Sequence, residues 1–139
     1  MTLLLDTNVL LDALLMRQPH ALVARELFTV AERGAFTGLI CATSVTTVFY
    51  LSAKTVPPSQ AALLIERLLQ LFQTAPVTGA VLADAIRLEF ADFEDAVVCQ
   101  SAVTSGADGI VTRDPKGFRK SPVPVYEPGD ALAMLGKLS

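Results

Sequence analysis

Leu3-Leu4-Leu5-Asp6-Thr7-Asn8-Val9-Leu10-Leu11-Asp12 decides how the rest of the chain is read. Three consecutive leucines show no polar alternation, as expected of a strand buried on both faces within a parallel sheet. We therefore expect a strand over Thr2–Leu5. The polar step Asp6-Thr7-Asn8 then stops the extended run, and Thr7 or Asn8 can cap a helix running to Leu15. Open parallel sheets collect ligands beyond the carboxyl ends of their strands, and Asp6 stands at such an end.

Working outward, the same strand-then-helix unit recurs. Pro19 suits the first turn of a second helix, and Gly34 suits its left-handed stop. Leu39–Ala42 reads as a strand, and Ser44–Lys54 as the helix after it. Pro57 and Pro58 interrupt, and Ser59 caps a helix to Gln73 whose Leu64, Leu68, Leu71 and Phe72 share one face. A short extended piece, Ala75–Val77, precedes Thr78, which caps a helix to Leu88. Asp92 opens another helix to Thr104, with Gly106 as its stop. Gly109–Thr112 is strand-like, and Val123–Tyr126, flanked by prolines, reads as an edge strand. Strands alternating with helices point to an α/β fold with a mainly parallel sheet. No repeat or linker divides the chain, so residues 1–139 are expected to form a single domain.

Composition narrows the class. The chain is 52% hydrophobic and 18% charged, which excludes an intrinsically disordered segment. Acidic residues break every apolar run before the roughly 18 residues a membrane span needs. The N-terminus lacks a basic region and cleavage site, so a mature, cytoplasmic protein is expected. Cys41 and Cys99 are too few and too distant for a disulfide or zinc framework and read as small buried hydrophobes. A net charge of −3 and pI of about 5.0 argue against lysine and arginine alone holding a polyanion. Handling a nucleic acid would require bound cations to reverse the local sign.

Three distant segments each deliver a carboxylate to a strand end or helix start. Asp6 follows the first strand, and Asp114 follows Ile110-Val111-Thr112 with one residue between. Asp92 and Asp95 lie three apart at a helix start, sharing a face and the positive end of its dipole. Hard oxygen ligands of this kind suit Mg²⁺ or Mn²⁺, and carboxylates so gathered repel one another until a cation arrives. Any one of these aspartates alone could be a cap or turn former. Glu94, Asp12, Glu26, Glu32, Glu66, Asp84, Glu89 and Asp108 read as solvated charges, and His20 as a surface residue.

The run Leu4–Asp12, with Asp92-Phe93-Glu94-Asp95-Ala96 and Ile110-Val111-Thr112-Arg113-Asp114 in that order, resembles the PIN-domain family over Leu3 to Phe118. The resemblance implies a three-layer α/β/α sandwich and a divalent-metal-dependent endoribonuclease like the VapC toxins, hydrolysing RNA by a metal-activated water. Carried over by residue, Asp6, Asp95 and Asp114 would be catalytic metal-site acids, with Asp92 a further ligand and Asn8, Thr47 and Thr112 in support. Arg113, Lys116, Arg119 and Lys120 would meet the RNA backbone, with Arg17 and Lys54 weaker candidates. The alternative for this basic cluster is a solvated loop. Thr47 departs from the family pattern, since most members carry a glutamate at that place. Thr43–Tyr50 resembles instead a subgroup with a neutral polar residue there. That departure supports a second reading, a catalytically weak or inactive PIN module binding RNA or a partner protein. A haloacid-dehalogenase-type phosphatase needs an acid where Asn8 stands and is set aside. VapC likeness also implies an antitoxin partner and a homodimer through the helices Ser59–Gln73 and the one from Thr78.

Overall fold

The strand–helix alternation becomes three layers. A computed structural model of the chain describes residues 1–138, so the end of the expected domain, Ser139, lies outside the described residues. Its strands are β1 (Thr2–Leu5), β2 (Thr37–Cys41), β3 (Gln73–Ala75), β4 (Gly109–Val111) and β5 (Val125–Tyr126). They form one sheet ordered β3-β2-β1-β4-β5, and every pairing is parallel. The helices are α1 (Thr7–Leu14), α2 (Ala21–Glu32), α3 (Ala42–Ser52), α4 (Pro58–Leu71), α5 (Gly79–Arg87), α6 (Phe93–Thr104) and α7 (Pro128–Leu138), with a 3-10 turn at Pro115–Phe118.

Side chains of β1 alternate across the sheet, as the pleat requires. Leu3 and Leu5 join one core with Val9 and Leu10 of α1, Leu27 of α2, Val48 of α3, Leu68 of α4 and Leu135 of α7. Leu4 faces a second core with Ala85 of α5, Val97 and Cys99 of α6, and Phe118. Burial on both faces explains the unbroken leucine run, because β1 has no solvent side to carry polar residues. Cys41 and Cys99 are both buried and unbridged.

Chain order positions the site. The chain lays β1, β2 and β3 progressively toward one edge, then crosses back to place β4 on the other side of β1. This reversal leaves a crevice between the carboxyl ends of β1 and β4, where open parallel sheets bind ligands. Leu5 pairs with Val111, and the Asp6 N–H donates to the Val111 carbonyl at 2.9 Å.

Several local expectations need correction. Asp6 itself, rather than Thr7 or Asn8, caps α1, accepting from the Thr7 N–H at 2.8 Å. Pro57, rather than Ser59, precedes α4, with Pro58 opening the helix where a missing N–H costs nothing. The third strand is Gln73–Ala75, two residues earlier than expected, because it pairs in register with Leu39–Cys41. The helix α7 had no counterpart in the sequence reading: Pro128-Gly129 resembles a turn, yet Ala131 and Leu135 one helical turn apart are buried. Asp12 is not solvated; it is 1% exposed and ion-paired. The caps at Thr78 and Asp92 and the positive-φ stops at Gly34 and Gly106 stand where expected. No helix among the described residues is long and apolar enough to cross a membrane.

Candidate functional site

Thr112, the residue just past β4, is the hub of the crevice. It is fully buried, and its hydroxyl donates to Asp6 Oδ2 at 2.8 Å. The Thr112 hydroxyl oxygen in turn accepts from the Asp114 N–H at 3.0 Å and from Asn8 Nδ2 at 3.4 Å. One donor and two lone pairs are the whole capacity of a hydroxyl, and all are used. Asn8 completes the tie by accepting from the Arg113 N–H at 3.3 Å. Thus the ends of β1 and β4 are joined through side chains beyond the last ladder bond. Buried, satisfied polar groups of this kind hold one geometry.

The acids of α6 meet this pair from across the crevice. Asp92 caps α6, accepting from the Asp95 N–H at 3.0 Å, so its own position is held by the backbone. Asp95, one turn along, is half-buried. The 3-10 turn brings Gly117 between Asp95 and Asp114: a Cβ added to it would lie 3.0 Å from an oxygen of each carboxylate. Laid end to end, those two 3.0 Å legs bound the oxygens to within about 6 Å of one another. Any side chain at position 117 would fill that gap. Phe118, stacked edge-on against Phe90 with centroids 5.9 Å apart, anchors the turn from below.

The electrostatics of the group are lopsided. Burial pushes the Asp6 carboxyl above its usual range, opposed by the hydrogen bonds from Thr112 and Thr7, while Asp114 and Asp92 push it further up. The Asp95 carboxyl is pushed up to about 7, first by burial and then by Asp6, Asp92, Asp114 and Glu94. Like charges in a partly desolvated space disfavour ionisation. Among the described residues no basic side chain pairs with Asp6, Asp95 or Asp114.

Asp95 divides two unlike clefts. One, of about 430 Å³, also borders on Asp6, Asn8, Ser44, Thr47, Phe93 and Glu94. The other, of about 410 Å³, runs past Asp92, Asp114 and Gly117 to Lys116, Arg119 and Lys120. Arg113 is not with those cations: its guanidinium grips Asp12, and it borders a separate hollow beside His20 and Glu127. Arg17 likewise pairs with Asp12, and Lys54 lies 4.3 Å over the Tyr50 ring. Thr47 lines the first cleft, but its hydroxyl points back along α3 to the Thr43 carbonyl at 3.3 Å. Glu94 is exposed, as expected, yet sits on the rim of that cleft. Ser44, which the sequence reading passed over, is 2% exposed and accepts from the Thr7 hydroxyl at 2.8 Å. Its position three residues past β2, beside the end of β1, is the one signal that could have found it.

The donor set suits a hard divalent cation. It consists of carboxylate oxygens alone, it is short of positive charge, and the gap at Gly117 is kept clear of side-chain atoms. Among the described residues, no three His, Cys, Asp or Glu side chains close into a finished ligand set. Mutual repulsion opposes such closure, and Mg²⁺ takes only one or two carboxylates directly while keeping its waters. Asp6, Asp95 and Asp114 would be the residues to hold the ion, with Asp92 at the margin.

Comparison with known proteins bears on the fold and the family. Among solved structures, the fold is similar to VapBC2 from Rickettsia felis bound to a DNA fragment from their promoter, with TM-score 0.72 and 15% identity over 91% of this chain and 98% of that one. It is similar to VapBC-1 from nontypeable Haemophilus influenzae, with TM-score 0.70 and 12% identity over 93% and 99% of the two chains. PAE2754 from Pyrobaculum aerophilum matches with TM-score 0.63 and 20% identity over 99% of both. A sequence search of curated proteins finds no significant match. The profile of the PIN domain matches residues 2–116, from the start of β1 into the 3-10 turn that carries Gly117, and the chain therefore belongs to the PIN-domain family.

Proposed function

We propose that this chain is a divalent-metal-dependent endoribonuclease of PIN type, the toxin of a toxin–antitoxin pair. The observation that carries the reading is the gathering of Asp6, Asp92, Asp95 and Asp114 at the sheet's switch point, with no basic side chain among the described residues paired to them. PIN domains generally depend on divalent metal. An ion held by these carboxylates would activate water and offset charge on the scissile phosphate. The residues of the chain supply the rest. Thr112 fixes the Asp6 carboxylate in orientation through its 2.8 Å hydrogen bond. Asp95, between the clefts, stands where a phosphate crossing from one to the other would pass. Lys116, Arg119 and Lys120 give the second cleft a positive rim suited to flanking phosphates, on a chain whose net charge is −3. The VapBC-like neighbours motivate the antitoxin as protein partner.

A second reading has its own support. Thr47 adds no charge where most family members carry an acid, and its hydroxyl is occupied within α3. A chain with weakened metal affinity could serve as a binding module for RNA or a partner protein. The deciding experiment incubates the purified chain with single-stranded and structured RNA, with Mg²⁺, Mn²⁺ or chelator, beside Asp95→Asn. Metal-dependent cleavage leaving 5′-phosphate and 3′-hydroxyl ends is expected, falling at least about a hundredfold in the variant, as loss of a metal-site charge worth several kcal/mol implies. Binding without cleavage in the wild type would favour the module. Cleavage undiminished in Asp95→Asn would remove the proposed site.

A further inference from the structure

We infer that Asp12 is a positioning residue: through the guanidinium of Arg113 it holds the turn between Thr112 and Asp114 in place for the acids around Gly117. The inference rests on the metal-site reading above and extends it to a pair of side chains placed behind the site.

Asp12 lies on α1, 1% exposed, and both its oxygens are engaged. Arg113 Nε donates to Oδ2 at 2.5 Å and Nη2 donates to Oδ1 at 3.3 Å. A two-point grip by a planar guanidinium sets orientation as well as distance. Arg113 is the middle residue of the turn. On one side is Thr112, whose hydroxyl binds Asp6; on the other is Asp114, whose N–H binds that same hydroxyl. The Arg113 backbone N–H is itself held by Asn8. Asn8 and Asp12 are four residues apart, so one face of α1 grips the turn twice, once by its main chain and once by its side chain. Drawing Arg113 away toward an RNA phosphate would uncover a buried carboxylate, which strongly opposes that use.

Arg17 provides an internal control. It contacts the same carboxylate, Nε to Oδ1 at 3.3 Å, but comes from the connection after α1, with its side chain 44% exposed. It shares the Asp12 carboxylate with Arg113 and, among the described residues, makes no direct hydrogen bond or ion pair to the turn. A purely structural role for Asp12 would show in the unfolding temperature alone, more at the two-point grip than at the single contact. A positioning role also lowers the Mn²⁺ affinity of the folded Arg113 variant.

The test is Mn²⁺ titration calorimetry on the full chain, with thermal unfolding alongside, for wild type, Arg113→Met and Arg17→Met. Groups that orient metal-site residues from behind change affinity or activity by about 10–100-fold, and that loss of Mn²⁺ affinity is expected for Arg113→Met. Arg17→Met should stay within about fivefold, because the half-exposed Arg17 makes one long contact and its loss leaves the two-point grip of Arg113 on Asp12 in place. In the nuclease assay, Arg113→Met should lower kcat with the KM for RNA little changed. Should Arg113→Met fail to fold, Arg113→Lys replaces it; the charge is kept, the fork is lost, and Mn²⁺ affinity should still fall. Wild-type Mn²⁺ affinity in the folded Arg113 variant, or equal losses in the two arginine variants, would overturn the inference. If the wild type binds no Mn²⁺, the metal-site reading fails first and takes this one with it.

Discussion

Asp6 and Asp12 make an instructive pair. They are six positions apart on one strand–helix unit, and both are buried, at 6% and 1% exposure. Asp12 is met by two arginines. Asp6 is met by hydroxyl and amide donors and by other aspartates. Among the described residues, then, basic side chains reach the buried acid within α1, Asp12, and none pairs with the buried acid that caps it, Asp6. A buried carboxylate left beside like charges is costly, and it persists where something outside the polypeptide supplies the positive charge. The contrast separates an acid that holds the scaffold from an acid that awaits a ligand.

The sharpest way to break this comparison is to remove one charge at a time. Asp12→Asn is expected to destabilise the metal-free chain by about 3 kcal/mol, the lower end for a broken buried pair because both arginines reach solvent. Asp6→Asn should cost about 1 kcal/mol, since the one amide oxygen can still cap α1 and relief of like-charge crowding offsets part of the lost bond from Thr112, which an amide NH2 cannot accept. Urea unfolding in chelator measures both, and equal losses would end the distinction.

A smaller effect follows from protonation. The Asp95 carboxyl titrates at about 7 in the folded chain, against 3.8 for an ordinary aspartate, the value expected once the chain unfolds. Below the lower value both states are protonated. Between the two, the unfolded chain releases a proton that the folded chain keeps, so stability falls as pH rises, and the loss is complete above about 7. The raised Asp6 carboxyl acts in the same direction. The unfolding temperature in chelator should therefore decline from pH 5 to pH 8, and Mg²⁺ should recover it most at pH 8, where the ionised folded state binds best. A metal-free chain steadier at pH 8 than at pH 5 would contradict the charge crowding around Asp95.

The smallest expected effect sharpens the roles of the basic residues. RNA binding by the Asp95→Asn chain, followed against salt, should lose about one unit of logarithmic slope for each of Lys116, Arg119 and Lys120 changed to alanine. Arg113→Met should leave the slope almost unchanged, because that guanidinium is already engaged with Asp12. A fall of a full unit in Arg113→Met would return it to the RNA-binding group.

Much was legible before any fold was known. The leucine run of β1, the caps at Thr78 and Asp92 and the glycine stops are local events, set by hydrogen bonds and periodicity over a few residues. The ordered motifs around Asp6, Asp95 and Asp114 were legible too, because sheet order places strand ends together in any fold of this topology. Other features had no such signal. Ser44 is an ordinary serine until β2 lies beside β1, and Pro128-Gly129 reads as a turn until α2 and its neighbours offer a surface to α7.

The sequence by itself determined the strand–helix alternation, the parallel sheet and the places where acids would stand, since these follow from side-chain period and short-range capping. Only the tertiary structure decided which acids have partners. Arg113 reaches Asp12 across 101 residues of chain, and Gly117 enters the gap between Asp95 and Asp114 through a turn anchored on Phe118. A charge reads the same in sequence whether it is solvated, paired or stranded; burial and the arrival of a distant side chain make the difference.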